Sequence, residues 1–187
     1  MLRCNGVKLE RSNVDTKSSE DFIFVKGYAC HFGKANLNGE IVTKDSFDAF
    51  FNVLKESSVM PSINFQHDPT EIIGGWDKLE PKDDGLWVEG RICKKVKRVQ
   101  DTILPLMEAG MLNWLSTEGF VDLDSLEFND DGTYTVKDFM LCRISLVDVP
   151  ADLNATVEHN AVTLERKNRK EEEPMPKETK RHKVIIY

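Results

Sequence analysis

The chain has 187 residues, which is enough for one domain with tails, and its 40% hydrophobic content is enough for a core. The formal net charge of −7 argues against nucleic acid as the main partner, because phosphate binding needs a net basic face. No apolar run approaches the roughly 20 residues of a membrane span, so no membrane partner is expected. The N-terminus lacks the apolar stretch of a secretory signal, and we expect the protein to stay in the compartment where it is made.

The four cysteines, Cys4, Cys30, Cys93 and Cys142, are far apart in the sequence. Because no CxxC pair is present, the pattern does not favour a zinc site, and no other cofactor is indicated. Cys30, Cys93 and Cys142 lie in strand-like runs, where we expect small buried hydrophobic side chains. A reducing cytosol fits this pattern.

The first half of the chain predicts a polar arm, a long strand and a short helix. Residues 1–20 are polar and mixed, which favours a loose N-terminal arm. Residues 22–32 are rich in β-branched and aromatic side chains and predict a strand, with a bulge or bend at Gly27. Residues 45–54 carry apolar side chains at i, i+3, i+4 and i+7, which predicts a helix.

The rest of the chain predicts further strands and a second helix. Residues 96–111 carry an apolar helical stripe, and Pro105 is expected to kink it. Residues 153–164 predict a closing helix or a loop. The remaining predicted strands are residues 63–65, 72–76, 86–92, 134–136 and 139–149.

These elements predict an α+β domain over residues 21–164, built on a mainly antiparallel β-barrel flanked by a few helices. Residues 165–187 are dominated by charged side chains and predict a flexible C-terminal tail. No internal repeat is evident.

His67 is the histidine best placed for chemistry. It lies between an apolar run and the turn signal Asp68-Pro69, and an imidazole fixed at a strand end can act as a general base. His31 lies inside a predicted strand, where a structural role is the simpler interpretation. His159 follows a weakly patterned region, and His182 lies in the tail.

Ser116 is the candidate nucleophile. Serine needs a nearby base and donors for the oxyanion that forms on the substrate. Ser116 follows an apolar strand start and precedes Gly119, whose N–H can approach a substrate oxygen. A capping or turn serine is the alternative that this pattern leaves open.

Several short motifs follow one another in an order that, taken together, is specific. They are Gly27-Tyr28-Ala29 with Phe32, Asp45-Ser46-Phe47, Gln66-His67-Asp68, Ile73-Gly74, Asp84-Gly85-Leu86-Trp87-Val88-Glu89-Gly90, Ala109-Gly110-Met111-Leu112, Leu115-Ser116 through Gly119-Phe120, and Ile144-Ser145-Leu146-Val147-Asp148-Val149-Pro150-Ala151. In this order and spacing, the chain resembles the prohead proteases of tailed bacteriophages, which are distant relatives of the herpesvirus assemblins. The resemblance covers about residues 22–157.

The resemblance implies a serine endopeptidase of capsid maturation with an assemblin-like barrel. His67 would be the base and Ser116 the nucleophile, and the reaction would pass through an acyl-enzyme. The enzyme would be packaged inside the assembling procapsid in the host cytoplasm. Its substrates would be the major capsid protein, the scaffold protein or both, and the enzyme would also cut itself. A homo-oligomer is left open.

Two features depart from the family pattern. The family usually has Ser-x-Gly-Phe, whereas Thr117 and Glu118 here place one extra residue before Gly119. The family usually carries an acidic third triad member just before the Val/Ile-Ser-Leu-Val run, and Arg143 stands there instead. Because a guanidinium has no acceptor, Arg143 cannot hold the Nδ1–H of the histidine.

Other residues can be considered for the third role. By strand parity, Ser145 shares the face of residue 143, whereas Asp148 falls on the opposite face. Asp68 and Glu118 are further alternatives. Arg143 also motivates a different function, in which a catalytically impaired protease fold serves as an internal scaffold or capsid-assembly factor. A small-molecule-binding barrel is a third, unrelated class.

Overall fold

The computed structural model describes residues 20–159, which form a sheet of seven strands, a sheet of three strands and two short helices. The strands are β1 (Phe22–His31), β2 (Glu40–Val42), β3 (Ser62–Phe65), β4 (Ile72–Pro81), β5 (Gly85–Cys93), β6 (Trp114–Phe120), β7 (Leu126–Phe128), β8 (Tyr134–Val136), β9 (Met140–Val147) and β10 (Val157–His159). The helices are α1 (Asp48–Ser57) and α2 (Leu104–Glu108). The predicted arm, apart from residue 20, and the predicted tail lie outside the described residues.

The two sheets are mainly antiparallel. The larger has the order β10-β1-β5-β4-β3-β9-β6, and the smaller has the order β2-β8-β7. Only the pairs β3–β9 and β2–β8 run parallel within the part described. The α+β prediction is therefore confirmed, and the two parallel pairs are additions to it. The pair β3–β9 needs the long crossover that β4 to β6 provide between its strands.

The larger sheet curls so that its two edges approach each other. The N–H of Leu115 in β6 donates to the carbonyl oxygen of Ala155 at 2.8 Å. The N–H of Val157 in β10 donates to the carbonyl oxygen of Asn113, also at 2.8 Å. The segment before β10 thus bridges the ends of a partly closed barrel. The closing segment therefore contains a strand at its described end, not the predicted helix or loop.

Gly27 has a packing role that differs from the predicted bulge. A Cβ at this position would lie 2.2 Å from the backbone oxygen of Thr156, so only glycine lets the closing segment approach β1. The register irregularity of β1 instead lies between Tyr28 and Cys30.

The core lies inside the curled sheet and under α1. Its fully buried side chains include Trp76, Phe47, Ile23, Ile63, Ile92, Leu115 and Ile144. Burying each such side chain contributes about 1.5–3 kcal/mol. This packing makes the strands around the site a rigid support.

The second helical segment runs over residues 97–108, somewhat shorter than predicted, and it includes a π-helical turn over Val99–Ile103. Pro105 lies just after this turn, inside a continuous helical segment, so its missing N–H leaves one helical bond unmade. Gly110 ends the helix with a φ of 73°. The N–H groups of Gly110 and Met111 donate to the carbonyls of Met107 and Leu106, which is a Schellman motif.

Two of the three cysteines predicted to be buried are only half-buried. Cys30 is buried, whereas Cys93 and Cys142 are partly exposed, and all three are free thiols. Cys93 ends its strand, and Cys142 lies at a register shift of β9, so neither faces the core. Within residues 20–159, no helix is long and apolar enough to cross a membrane, and no cluster of potential metal ligands is present.

Candidate active site

Three neighbouring strands carry a row of polar side chains on one face. Ser116 of β6 lies directly opposite Ser145 of β9, and Ser145 lies opposite Asn64 of β3. Direct cross-strand partners share a face, so all three side chains lie on the same side of the sheet. The neighbouring row, Leu115 and Leu146, faces the core. Strand alternation thus separates a polar face from the core.

His67 lies in a tight turn that follows the end of β3. Gln66 and His67 have φ values of 54° and 58°, in the left-handed region that is uncommon for residues other than glycine. The side-chain amide of Asn64 holds the turn by donating to the carbonyl oxygen of Asp68 at 2.9 Å. A strained backbone fixed in this way is typical of functional sites. The turn sets the direction in which the imidazole leaves the sheet.

His67 and Ser116 line the same cavity, which has a volume of about 690 Å³. The chain therefore brings the two residues singled out by the sequence to one site from different strands. Ser116 is only 6% exposed. Within the described residues, no hydrogen bond joins its hydroxyl to the imidazole. Catalytic hydrogen bonds often tighten only when substrate is bound, so this geometry is compatible with a nucleophile and its base.

The carboxylate of Glu118 lies between His67 and Arg143. Its Oε2 is 3.2 Å from Nδ1 of His67. Its Oε1 accepts a hydrogen bond of 2.6 Å from Nη2 of Arg143, and Oε2 accepts one of 3.3 Å from Nε. The contact with His67 lies within hydrogen-bonding distance, but the two groups are not aligned as a hydrogen bond.

Burial lowers the pKa of His67 below its ordinary value, and the positive charge of Arg143 lowers it further. The negative charge of Glu118 opposes both effects only in part. The imidazole is therefore neutral at pH 7, which is the state in which it can accept a proton.

Among the described residues, none of the others considered for the third role forms a hydrogen bond or an ion pair with the His67 side chain. The carboxylate of Asp68 accepts bonds from the N–H and hydroxyl of Thr70, at 2.8 and 2.6 Å. The carboxylate of Asp148 accepts from the N–H of Val149 at 2.8 Å. Ser145 is fully buried, and its hydroxyl has no partner among the described residues.

Gly119 has a structural explanation besides its expected role near the oxyanion. A Cβ at this position would lie 2.5 Å from the carbonyl oxygen of Met140 and 2.8 Å from the ring of Phe139. The register also shifts by one residue between Glu118 and Gly119. Glycine is therefore needed for β6 to pack against β9 beyond the shift.

Three cavity-lining residues were not identified as site residues from the sequence. His31 and Asp152 meet at the cavity wall, where Nδ1 of His31 lies 2.8 Å from Oδ2 of Asp152. Cys30 also lines the cavity, but burial raises the pKa of its thiol to about 12, so it stays protonated at neutral pH. No sequence motif links His31 to Asp152, because the two are adjacent only in the folded chain.

Comparison with known proteins agrees with this architecture. The model of the caudovirus prohead serine protease family matches residues 9–170. The bacteriophage T4 capsid assembly protease superposes with a TM-score of 0.55 and 14% identity, covering 68% of this chain and 82% of that one. The Kaposi's sarcoma-associated herpesvirus (KSHV) protease bound to a hexapeptide phosphonate inhibitor gives a TM-score of 0.50 and 14% identity, covering 74% of this chain and 65% of that one. A search of curated proteins finds no significant match.

At this level of identity the two structures establish the fold, which is the assemblin-like fold expected from the sequence. The family match extends over most of the chain and includes every element around the cavity. The chain therefore belongs to the caudovirus prohead serine protease family and is a peptidase of phage capsid maturation.

Proposed function

We propose that the protein is a serine endopeptidase in which Ser116 is the nucleophile and His67 the general base. The observation that carries the proposal is their meeting at one cavity, although one follows β3 and the other lies within β6. The neutral imidazole favoured by burial is the form that this role requires.

The reaction would follow the order of acyl transfer. The Oγ of Ser116 attacks the scissile carbonyl carbon, and its proton passes to Nε2 of His67, the ring nitrogen not facing Glu118. The imidazolium then gives that proton to the leaving amine as the peptide bond breaks. Water, activated by the same imidazole, hydrolyses the acyl-enzyme and restores Ser116.

The substrates would be the proteins enclosed with the enzyme in the procapsid within the host. We propose that it cuts the scaffold protein or a scaffolding segment of the major capsid protein, and then itself. Family membership supports a site of action in the prohead. The charged stretch that begins at Glu165, outside the described residues, is the proposed region of self-cleavage.

Co-expression with the major capsid and scaffold proteins of the same phage tests this function. We expect truncation of at least one of the three proteins by the wild type and by Ser57→Ala, an exposed control at the end of α1. Ser116→Ala and His67→Gln are expected to leave all three intact. Cleavage that persists in Ser116→Ala would exclude Ser116 as the nucleophile. Intact proteins in every sample would instead favour the non-catalytic scaffold role that Arg143 suggested.

A further inference from the structure

Glu118 links His67 to Arg143 through one carboxylate. One of its oxygens lies 3.2 Å from Nδ1 of His67, and the other accepts a 2.6 Å bond from Arg143. Within the described residues, no other carboxylate is in ion-pair contact with His67. The Nδ1 atom of His67 is shielded from solvent. The carboxylate of Glu118 is the acceptor within its reach.

Strand geometry explains why Glu118 can reach His67. Ser116 and Glu118 are two residues apart on β6, so they project from the same face of the sheet. Arg143 lies directly opposite Glu118 on β9, the strand that separates β6 from β3. The carboxylate therefore lies on the same face as the nucleophile and extends towards the turn that carries His67.

Arg143 holds the carboxylate in place. Its guanidinium donates through both Nε and Nη2 to the two oxygens of Glu118, a two-point contact that restricts the rotation of the glutamate side chain. All three side chains are partly shielded from solvent. An isolated surface pair would restrict the side chain much less.

We propose that Glu118 is the positioning residue of the site, which orients His67 through Nδ1 while Arg143 anchors the carboxylate. Arg143 occupies the position where an acidic group would otherwise be expected, and the acidic group comes from its cross-strand partner. The acid next to His67 thus stands on β6 and not on β9. This inference rests on the proposed roles of His67 and Ser116.

Reaction of Ser116 with a fluorophosphonate probe tests the inference without knowledge of the natural substrate. In the labelling reaction the serine oxygen displaces fluoride from phosphorus, and His67 takes the serine proton. Glu118→Gln preserves the shape of the side chain but removes the carboxylate. We expect it to slow labelling about 100-fold, within the range that a correctly oriented base contributes.

Two double variants distinguish the loss of the carboxylate that orients His67 from a general loss of structure. In Glu118→Gln/Arg143→Glu the carboxylate is transferred to β9, and labelling is expected to recover at least tenfold relative to Glu118→Gln. In the matched control Glu118→Gln/Arg143→Gln no carboxylate is restored, and we expect no recovery. Thermal unfolding of each variant shows whether it is folded.

The pH dependence provides a second readout. Glu118 and Arg143 are the charged groups that face His67 from β6 and β9. In Glu118→Gln the positive charge of Arg143 is no longer balanced, so the pKa of His67 should fall. The acid limb of the pH profile, where the labelling rate falls as His67 becomes protonated, should therefore move to lower pH. An NMR titration of His67 in Ser116→Ala, with and without Glu118→Gln, measures the same shift in the absence of activity.

The outcomes of the two proposals can be told apart. If folded wild-type protein is not labelled at Ser116, the proposed function is wrong. If the wild type is labelled and folded Glu118→Gln reacts at the same rate with the same acid limb, the function stands and the inference about Glu118 is overturned. Slow labelling of Glu118→Gln that neither moves the acid limb nor recovers with Arg143→Glu would also overturn it.

Discussion

Asp152 accepts two hydrogen bonds from His31, one of 2.7 Å from the backbone N–H and one of 2.8 Å from the ring. The pair joins the loop after β9 to the end of β1, and both side chains line the cavity of His67 and Ser116. This carboxylate is therefore one of the groups that hold the loop at the wall of the site, together with the bond from the N–H of Leu37 to the carbonyl oxygen of Ala151.

Asp152→Asn should lower the free energy of unfolding by about 2 kcal/mol, because two partly buried bonds to a charged acceptor are weakened. Urea unfolding at pH 7 measures this change. The control is Asp124→Asn, which alters an exposed carboxylate in the turn Leu123–Ser125 and should change stability by less than about 0.5 kcal/mol. Equal stability of Asp152→Asn and the wild type would contradict the structural role.

The difference in stability between the wild type and Asp152→Asn should depend on pH and should decrease in acid. Burial raises the pKa of Asp152, but hydrogen bonds from the N–H of Asn154 and from His31 outweigh this effect and lower it overall. A lowered pKa stabilises the fold fully above the unfolded-state value of about 3.9, and the contribution is lost as the pH falls through the lower folded value. The stability difference between wild type and Asp152→Asn should therefore shrink as the pH falls below about 4, through the lowered folded-state pKa of Asp152.

Arg143→Met should move the acid limb of activity to higher pH. Burial and Arg143 lower the pKa of His67, so the wild-type limb should fall below the ordinary value of about 6.5. Removing the positive charge removes one of these causes, and the imidazole then takes up a proton at higher pH. The rate of fluorophosphonate labelling between pH 4 and 8 measures the limb. A limb that stays in place or moves lower would contradict this electrostatic account.

Arg143→Glu alone should not abolish activity. The substitution removes the anchor of Glu118 but places a second carboxylate on the same face of β9, where it can take over the contact with His67. Two carboxylates directly across neighbouring strands repel each other, so some loss of stability is expected. Complete loss of labelling in a folded protein would show that Arg143 has a direct role in binding the substrate or its oxyanion.

Cys30 should have no part in catalysis although it lines the cavity. Burial raises the pKa of its thiol to about 12, so almost none is ionised at pH 7. We expect Cys30→Ala to retain Ser116 labelling, and we expect iodoacetamide at pH 7 to leave wild-type activity intact. Inactivation by iodoacetamide that Cys30→Ala prevents would show a reactive thiol at the site.

Two features of the candidate site were indicated by the sequence, one by a local pattern and one by the family resemblance. The apolar run before Asp68-Pro69 indicated that a strand ends near His67, and β3 does end at Phe65. The family resemblance, supported by the match over residues 9–170, singled out Ser116 as its partner. The first helix was also correct in type, because its apolar spacing is unambiguous.

The contact of His67 with Glu118 could not be singled out from the sequence, which left Glu118 as one of several alternatives. Strand parity places residues 116 and 118 on one face and residues 143 and 145 on one face, but it does not give the register between β6 and β9. The contact between Glu118 and Arg143 depends on that register. The parallel pairing of β3 with β9 and the approach of Asp152 to His31 likewise join segments that are distant in the chain.

Mapping the fluorophosphonate adduct by mass spectrometry tests the central claim most directly. The account predicts one adduct, on Ser116, in the wild-type protein at pH 7, and almost none in His67→Gln, which keeps the serine but lacks the base. An adduct on another residue, or labelling of Ser116 at an unchanged rate in folded His67→Gln, would contradict the pairing of this imidazole with this hydroxyl.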